Sequence, residues 1–160
     1  FYSSHLAVPE RRDVYSEQVL IGKALFMQAG CQGCHTESYT TIIDQDQPEL
    51  SEQTIFPYTD MLLHDMGENL ADFTPDNESA SADMLYEFLA TATEWRTPPL
   101  WGLGLTKTID PQATFLHDGR ANTIMEAVLW HGGEAENAKN KVLAFNQEER
   151  VALLAFLNDL

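Results

Sequence analysis

The chain contains a single Cys-x-x-Cys-His motif, and this motif uses both of its cysteines. Cys31 and Cys34 are separated by two residues, and His35 follows the second cysteine directly. This pattern is the signature of covalent haem c attachment, in which two thioether bonds hold the porphyrin edge and the short spacing brings the next side chain to the iron. We therefore predict one covalent haem c on Cys31 and Cys34, with His35 as proximal ligand.

Three other interpretations of a Cys-x-x-Cys pair are less favoured by the surrounding sequence. A redox dithiol usually lies in a βαβ unit, whereas the segment before the motif, "VLIGKALFMQAG", has the apolar spacing of an amphipathic helix. A structural zinc site needs four ligands, and there is no second cysteine pair to supply them. A disulfide between the two near neighbours is the remaining alternative.

The length and charge of the chain limit the classes of protein to which it can belong. Its 160 residues with 44% apolar content suit one folded domain, which we assign to residues 16–160, after an N-terminal arm or linker at 1–15. A net charge of -16, with only nine Lys and Arg residues, disfavours nucleic acid and anionic membranes as partners. The sequence also contains no apolar run of the roughly 18 residues that a membrane span needs.

Two helices are expected to cross beside the haem. The first, from about Ser16 to Ala29, leads into the motif, and its Gly22 would let another helix approach closely. The last helix can be that partner, because Asn146 is a suitable N-cap with Glu149 three residues later and an apolar-periodic run behind it. This arrangement predicts an all-α, cytochrome c-like domain with covalent haem c.

The rest of the chain is predicted to contain short elements and long loops. Residues 36–78 are polar and irregular, with a short β-hairpin at most, and a large cofactor is a sufficient anchor for such a stretch. Apolar spacing predicts helices at about 79–91 and at about 123–131. The intervening "EWRTPPLWGLGL" indicates a tight turn with at most a short helix.

The distal side of the iron needs a ligand, unless the site binds exogenous molecules. His131 ends a predicted helix and precedes two glycines, a position from which a side chain can enter a cavity. Met66 and His64, in "LLHDMG", are rival candidates. Spacing alone leaves these three residues unranked.

Several longer motifs carry a family resemblance over nearly the whole chain. These are "HLAVPERRDV", "PYTDMLLHDMGENLAD", "EWRTPPLWGLGL" and "FLHDGRANTIMEAVLWHGGEA", which occur in this order. Together they resemble the C-terminal haem domain of the di-haem oxidoreductase family, often described as thiol oxidoreductases. That family is related to the bacterial di-haem cytochrome c peroxidases and to the di-haem enzyme that matures methylamine dehydrogenase.

The resemblance implies specific roles for site residues. In the peroxidases the helix after an "HDG" motif delivers the distal ligand, commonly a methionine, and here that position falls on His131. The implied iron ligands are therefore His35 and His131, with Met66 as the alternative distal ligand. A bis-histidine pair has a lower reduction potential than a His/Met pair. Arg120 is implied to pair with a haem propionate, and a turn-locking salt bridge to Asp118 is the alternative.

The resemblance also implies an electron-transfer role within a larger protein. The expected protein is a periplasmic or extracellular di-haem oxidoreductase, whose partner is a second haem domain or a redox protein. One alternative is a free-standing mono-haem cytochrome c, serving as a carrier or as a subunit of a multi-haem assembly. Another is a peroxidatic haem with a displaceable distal ligand, for which His64 or His117 would be the acid/base.

Further roles follow from the same resemblance. The peroxidases hold calcium between their two domains, partly through backbone carbonyls near the Pro-rich motif, which corresponds here to Thr97–Pro99. Trp95 and Trp101 are candidates for assisting electron transfer between haems, although core packing is the favoured explanation for both.

Overall fold

The computed structural model describes residues 2, 5–71 and 89–160 and shows a mainly helical fold. The described part has five α-helices, which are α1 (Glu17–Ala29), α2 (Thr106–Ile109), α3 (Ile124–Trp130), α4 (Glu136–Ala144) and α5 (Gln147–Asp159). Single 3₁₀ turns link them at Cys31–Gly33, Pro48–Leu50, Glu68–Leu70, Leu103–Leu105 and Gly133–Ala135. None of the described helices is long and apolar enough to cross a membrane.

Two small antiparallel sheets accompany the helices, so the expectation of an all-α fold with one short hairpin needs correction. Strands β1 (Tyr39–Thr40) and β2 (Thr54–Ile55) form the first sheet, inside the segment where a hairpin was expected. Strands β3 (Leu63–Asp65) and β4 (Glu94–Arg96) form the second. Strand β4 lies where the sequence predicted a tight turn. It was missed because two or three residues are too few to show an alternating apolar pattern.

The predicted crossing of the first and last long helices is confirmed. At Gly22 an added Cβ atom would overlap the carbonyl group of Ala152 and would lie 2.7 Å from Cβ of Phe156. The backbones of α1 and α5 approach this closely because Gly22 has no side chain. The core forms around the crossing and includes buried Val19, Leu25, Phe26, Tyr58, Val142, Leu153, Phe156 and Leu157.

Two of the five described helices begin at a residue whose side chain caps the helix. Asn146 accepts a hydrogen bond from the Glu149 backbone N–H at 3.0 Å, and the Glu149 carboxylate accepts one from the Asn146 N–H at 2.8 Å. This reciprocal capping box begins α5. Thr123 caps α3 through one hydrogen bond, which its hydroxyl oxygen accepts from the Glu126 N–H at 3.0 Å.

The N-terminal arm lies against the end of α5. The buried carboxylate of Asp159 accepts hydrogen bonds from the Arg11 guanidinium at 2.7 Å, the Arg12 N–H at 2.9 Å and the Asp13 N–H at 2.6 Å. The guanidinium of Arg11 also lies 5.4 Å from the centre of the Phe156 ring. The described arm residues before Glu17 contain no α-helix or β-strand.

Some elements were not predicted, and one cannot be compared. Most of the helix predicted at about 79–91 lies outside the described residues. Helices α2 and α4 were missed. The sequence of α4, "ENAKNKVLA", has a buried position only at Val142, so it lacks the apolar periodicity from which helices are recognised.

Candidate functional site

The Cys-x-x-Cys-His motif lies directly after α1. Helix α1 ends at Ala29, and Gly30 adopts the left-handed conformation with a φ of 96°. Glycine adopts this conformation without steric cost, and a left-handed residue at this position ends the helix. The His35 N–H then donates to the Cys31 carbonyl at 2.9 Å, which closes the motif into one compact turn. Both thiols are free and half-buried.

The two cysteines are held as neutral thiols in this environment. Burial raises the pKa of Cys31 to about 11. Burial, followed by the negative charges of Asp60 and Glu134, also raises the pKa of Cys34. Thiol–disulfide exchange requires a thiolate. The surroundings therefore do not favour a redox dithiol.

His35 presents one specific nitrogen as a potential ligand. Its Nδ1 lies 3.0 Å from the carbonyl oxygen of Tyr58, and because a carbonyl can only accept, Nδ1 carries the hydrogen. Burial lowers the pKa of His35 to about 4. The imidazole is therefore neutral at pH 7 and keeps a lone pair on Nε2, as a metal-ligating histidine requires.

His131 has the same arrangement on a different element. It follows α3 directly, and its Nδ1 donates to the Ala127 carbonyl at 2.7 Å. Burial lowers the pKa of His131 as well. A ligating histidine typically donates its second ring nitrogen to a backbone carbonyl or carboxylate, which fixes the tautomer and ring orientation. Both histidines meet this condition.

The structure brings these two imidazoles together. Their ring centres are 6.4 Å apart, with an angle of 45° between the ring planes. Two metal–nitrogen bonds of about 2 Å, plus roughly 1 Å from each ring nitrogen to its ring centre, span about 6 Å. The separation therefore fits two imidazoles on opposite sides of one metal ion, and the residues present fit a covalently attached haem.

His64, a rival for the distal position, has both ring nitrogens engaged. Its Nδ1 lies 2.8 Å from a carboxylate oxygen of Glu134, and its Nε2 lies 2.8 Å from one of Asp60. Hydrogen bonding to Glu134 and then to Asp60 raises the pKa of His64 despite its partial burial. Ligand atoms of Cys34, Asp60 and His64 lie within 4.8 Å of one another, but both ring nitrogens of His64 are already engaged by carboxylates.

Met66, the other rival, lies beside the segment that follows His131. Its backbone N–H donates to the Thr93 carbonyl at 2.8 Å. Its carbonyl oxygen would be 2.9 Å from a Cβ atom added at Gly132. His131 and Met66 therefore lie in the same region of the fold. The choice of His131 over Met66 as distal ligand remains a prediction.

Arg120 is held by three neighbours. Its Nε donates to Asp118 at 2.5 Å, its Nη1 donates to the Asn69 carbonyl, and its guanidinium carbon lies 5.2 Å from the centre of the Trp130 ring. The salt bridge to Asp118 corresponds to the alternative role in locking the turn. The pairing with a haem propionate remains a prediction.

Two other residues singled out by the sequence, Trp95 and Thr97, make specific contacts. Trp95 stacks on His117 with ring centres 3.5 Å apart and 11° between the planes, and its Nε1 donates to the Leu70 carbonyl at 2.9 Å. The Thr97 carbonyl, one of the predicted calcium ligands, accepts a hydrogen bond from the Thr59 hydroxyl at 2.6 Å. Calcium binding remains a prediction.

Two residues of the site were not identified from the sequence. Tyr58 is fully buried, and its carbonyl orients His35. Glu134 bonds to His64, 70 residues earlier in the chain. Neither contact follows a local pattern, because each joins residues distant in sequence. The positive φ of 52° at Tyr58 is likewise unusual for an aromatic residue.

Comparison with known families produced one match. A family model described as "Di-haem oxidoreductase, putative peroxidase" matches residues 1–160. Comparisons with curated proteins and with solved structures returned no match. The family match covers the whole chain, including every residue of the site.

Proposed function

Because the chain belongs to the di-haem oxidoreductase family, we propose that it is a cytochrome c-like, electron-transferring haem c domain of a peroxidase-like oxidoreductase. Its partner in this role is a second haem domain or a redox protein. The observation that carries the proposal is the pairing of His35 with His131. Their ring centres are 6.4 Å apart, and each Nδ1 is hydrogen bonded to a backbone carbonyl.

The chain's own residues would hold the group in the following way. Cys31 and Cys34 would hold the porphyrin edge through thioether bonds, and the Nε2 atoms of His35 and His131 would ligate the iron. When bound, the haem supplies one-electron chemistry through its ferric and ferrous states. The carbonyls of Tyr58 and Ala127 fix both ring orientations, so the protein needs little rearrangement when the iron charge changes.

The setting of this activity is also proposed. Haem attachment to a Cys-x-x-Cys-His motif takes place outside the cytoplasm, which supports a periplasmic or extracellular location. The net charge of -16 favours electrostatic attraction of a basic soluble partner. Calcium near Thr97–Pro99 would belong to the contact with a second domain.

Axial-ligand spectroscopy of the haem-loaded protein tests the proposal. Low-temperature electron paramagnetic resonance and near-infrared bands of the ferric protein are expected to show a low-spin, bis-histidine signature. We expect His131→Ala to abolish this signature. His5→Ala is the control, because His5 lies in the N-terminal arm, where its Nε2 pairs with Glu49. The spectrum of this variant should match that of the unsubstituted protein.

Two other spectra would reject the bis-histidine assignment. A His/Met signature that disappears in Met66→Ala would make Met66 the distal ligand and would imply a higher reduction potential. A high-spin signal in the unsubstituted protein would indicate an open coordination position, and the peroxidatic alternative would replace electron transfer.

A further inference from the structure

The segment after His131 is packed tightly onto the segment after β3. An added Cβ atom at Gly132 would lie 2.9 Å from the Met66 carbonyl oxygen. At Gly133, where φ is 51°, it would lie 2.7 Å from the Gly67 nitrogen. Side chains are excluded at both positions, so the backbone leaving His131 rests directly on residues 65–67.

Glu134 is the side chain that ties these two segments together. Its Oε1 accepts a hydrogen bond from the Asp65 N–H at 3.0 Å, and its Oε2 accepts one from His64 Nδ1 at 2.8 Å. Because the acceptor is a carboxylate, both hydrogen bonds are charge-assisted, and such bonds are stronger than neutral ones.

The contact continues from His64 toward the attachment motif. The other ring nitrogen of His64 lies 2.8 Å from Asp60, and this pair is mostly buried, with side-chain exposures of 14% for His64 and 11% for Asp60. Ligand atoms of Cys34, Asp60 and His64 lie within 4.8 Å of one another. We call Glu134, His64 and Asp60 the carboxylate–histidine bridge. This bridge connects the turn after His131 with the neighbourhood of Cys34.

We propose that Glu134 is a positioning residue for the distal iron ligand, acting through the carboxylate–histidine bridge to hold the turn after His131 in its ligating position. This inference rests on the proposed function, because it requires His131 to ligate the iron. His131 already has a local support in the Ala127 carbonyl, which orients the ring relative to α3. The bridge instead fixes α3 and its ligand relative to the proximal side of the site.

The test measures how readily the distal ligand dissociates in the haem-loaded protein. In the ferrous state, carbon monoxide binds only after His131 leaves, so its binding rate reports that release. Glu134→Ala removes the acceptor of both hydrogen bonds that join the two segments, so we expect it to raise the rate severalfold and to add a high-spin component to the ferric spectrum.

Three further variants make the test specific. Glu134→Gln keeps an oxygen for the Asp65 N–H but loses the charge, so an intermediate rate is expected; it also serves if Glu134→Ala does not fold. His64→Asn should resemble Glu134→Ala, and the double variant should be no faster than either single variant. Glu136→Ala, the control, removes a nearby negative charge that pairs locally with Lys139 and should leave rate and spectrum unchanged.

The outcomes separate this inference from the proposed function. If the unsubstituted protein shows the bis-histidine spectrum and the Glu134 variants bind carbon monoxide at its rate, the positioning role is rejected and the proposed function stands. If the unsubstituted spectrum is not bis-histidine, or His131→Ala does not change it, both are rejected.

Discussion

Tyr58 shows that the candidate site depends on single residues other than the candidate ligands. Its carbonyl accepts from His35 Nδ1, and its ring packs edge-on against Phe26 and Phe156, with ring centres 6.1 and 5.7 Å away. Burial raises the pKa of its hydroxyl to about 12. One residue therefore joins His35 to both crossing helices.

A single-residue prediction concerns Gly22. Substituting alanine would normally stabilise a helix by about 1 kcal/mol. At Gly22, however, the new methyl group meets the Ala152 carbonyl and Phe156, and overpacking of this kind costs about 1–3 kcal/mol or more. We expect Gly22→Ala to lower the free energy of unfolding, measured by chemical denaturation of the haem-loaded protein.

The matched control for Gly22 is Gly33→Ala. A Cβ atom added at Gly33 meets nothing within 4 Å, and the position is unrestricted in the Cys-x-x-Cys-His pattern. Its unfolding free energy should stay close to that of the unsubstituted protein. Equal stability of both variants would contradict the close helix crossing.

At the scale of elements, α5 carries the strongest local start signal. Its capping box satisfies backbone N–H groups at the helix N-terminus that have no partner within the helix. The same helix supplies Ala152, Leu153, Phe156 and Leu157 to the core. A weakened start of α5 therefore weakens the contact with α1.

We expect Asn146→Ala to destabilise the domain by about 1 kcal/mol, because the Glu149 N–H loses its acceptor. Asn146→Asp is the control, since aspartate is an equally good N-cap. Thermal unfolding of the three proteins checks this prediction. An alanine variant as stable as the aspartate variant would show that the cap contributes nothing.

At the scale of the whole molecule, the buried carboxylate of Asp159 joins the N-terminal arm to the end of α5. Burial alone would raise the pKa of Asp159, but hydrogen bonds from the Asp13 N–H and the Arg11 side chain hold that pKa below its ordinary value. A carboxyl with a lowered pKa contributes stability above its unfolded-state pKa, about 4, and this contribution is lost as the pH falls through its folded-state pKa.

Asp159→Asn should therefore reduce stability at pH 7 and make it less dependent on pH in the acid range. Urea unfolding at a series of pH values from about 7 to about 3 tests this expectation. Glu148→Gln in the same helix, at an exposed position, controls for the change of net charge. Parallel pH profiles for Asp159→Asn and the unsubstituted protein would contradict it.

The parts of the fold that were predictable from sequence are those with local signals. The periodic apolar residues of α1, the capping residues of α5 and the glycine at their crossing predicted two helices and their contact. Helix α4 and strand β4 lack such signals. Within the site, the Cys-x-x-Cys-His motif is local, whereas the pairing of Glu134 with His64 depends on contacts between distant segments and could not be predicted.

The docking of Gly132 and Gly133 on residues 65–67 bears on the order in which the parts of the protein fold. Cys31, Cys34 and His35 lie within one short turn, which is closed by the hydrogen bond from the His35 N–H to the Cys31 carbonyl. His131 lies 96 positions after His35 in the sequence, and contacts over such separations form slowly because a long loop must close first. We therefore expect the turn at the Cys-x-x-Cys-His motif to form early in folding and the docking of Gly132 and Gly133 onto residues 65–67 to come late.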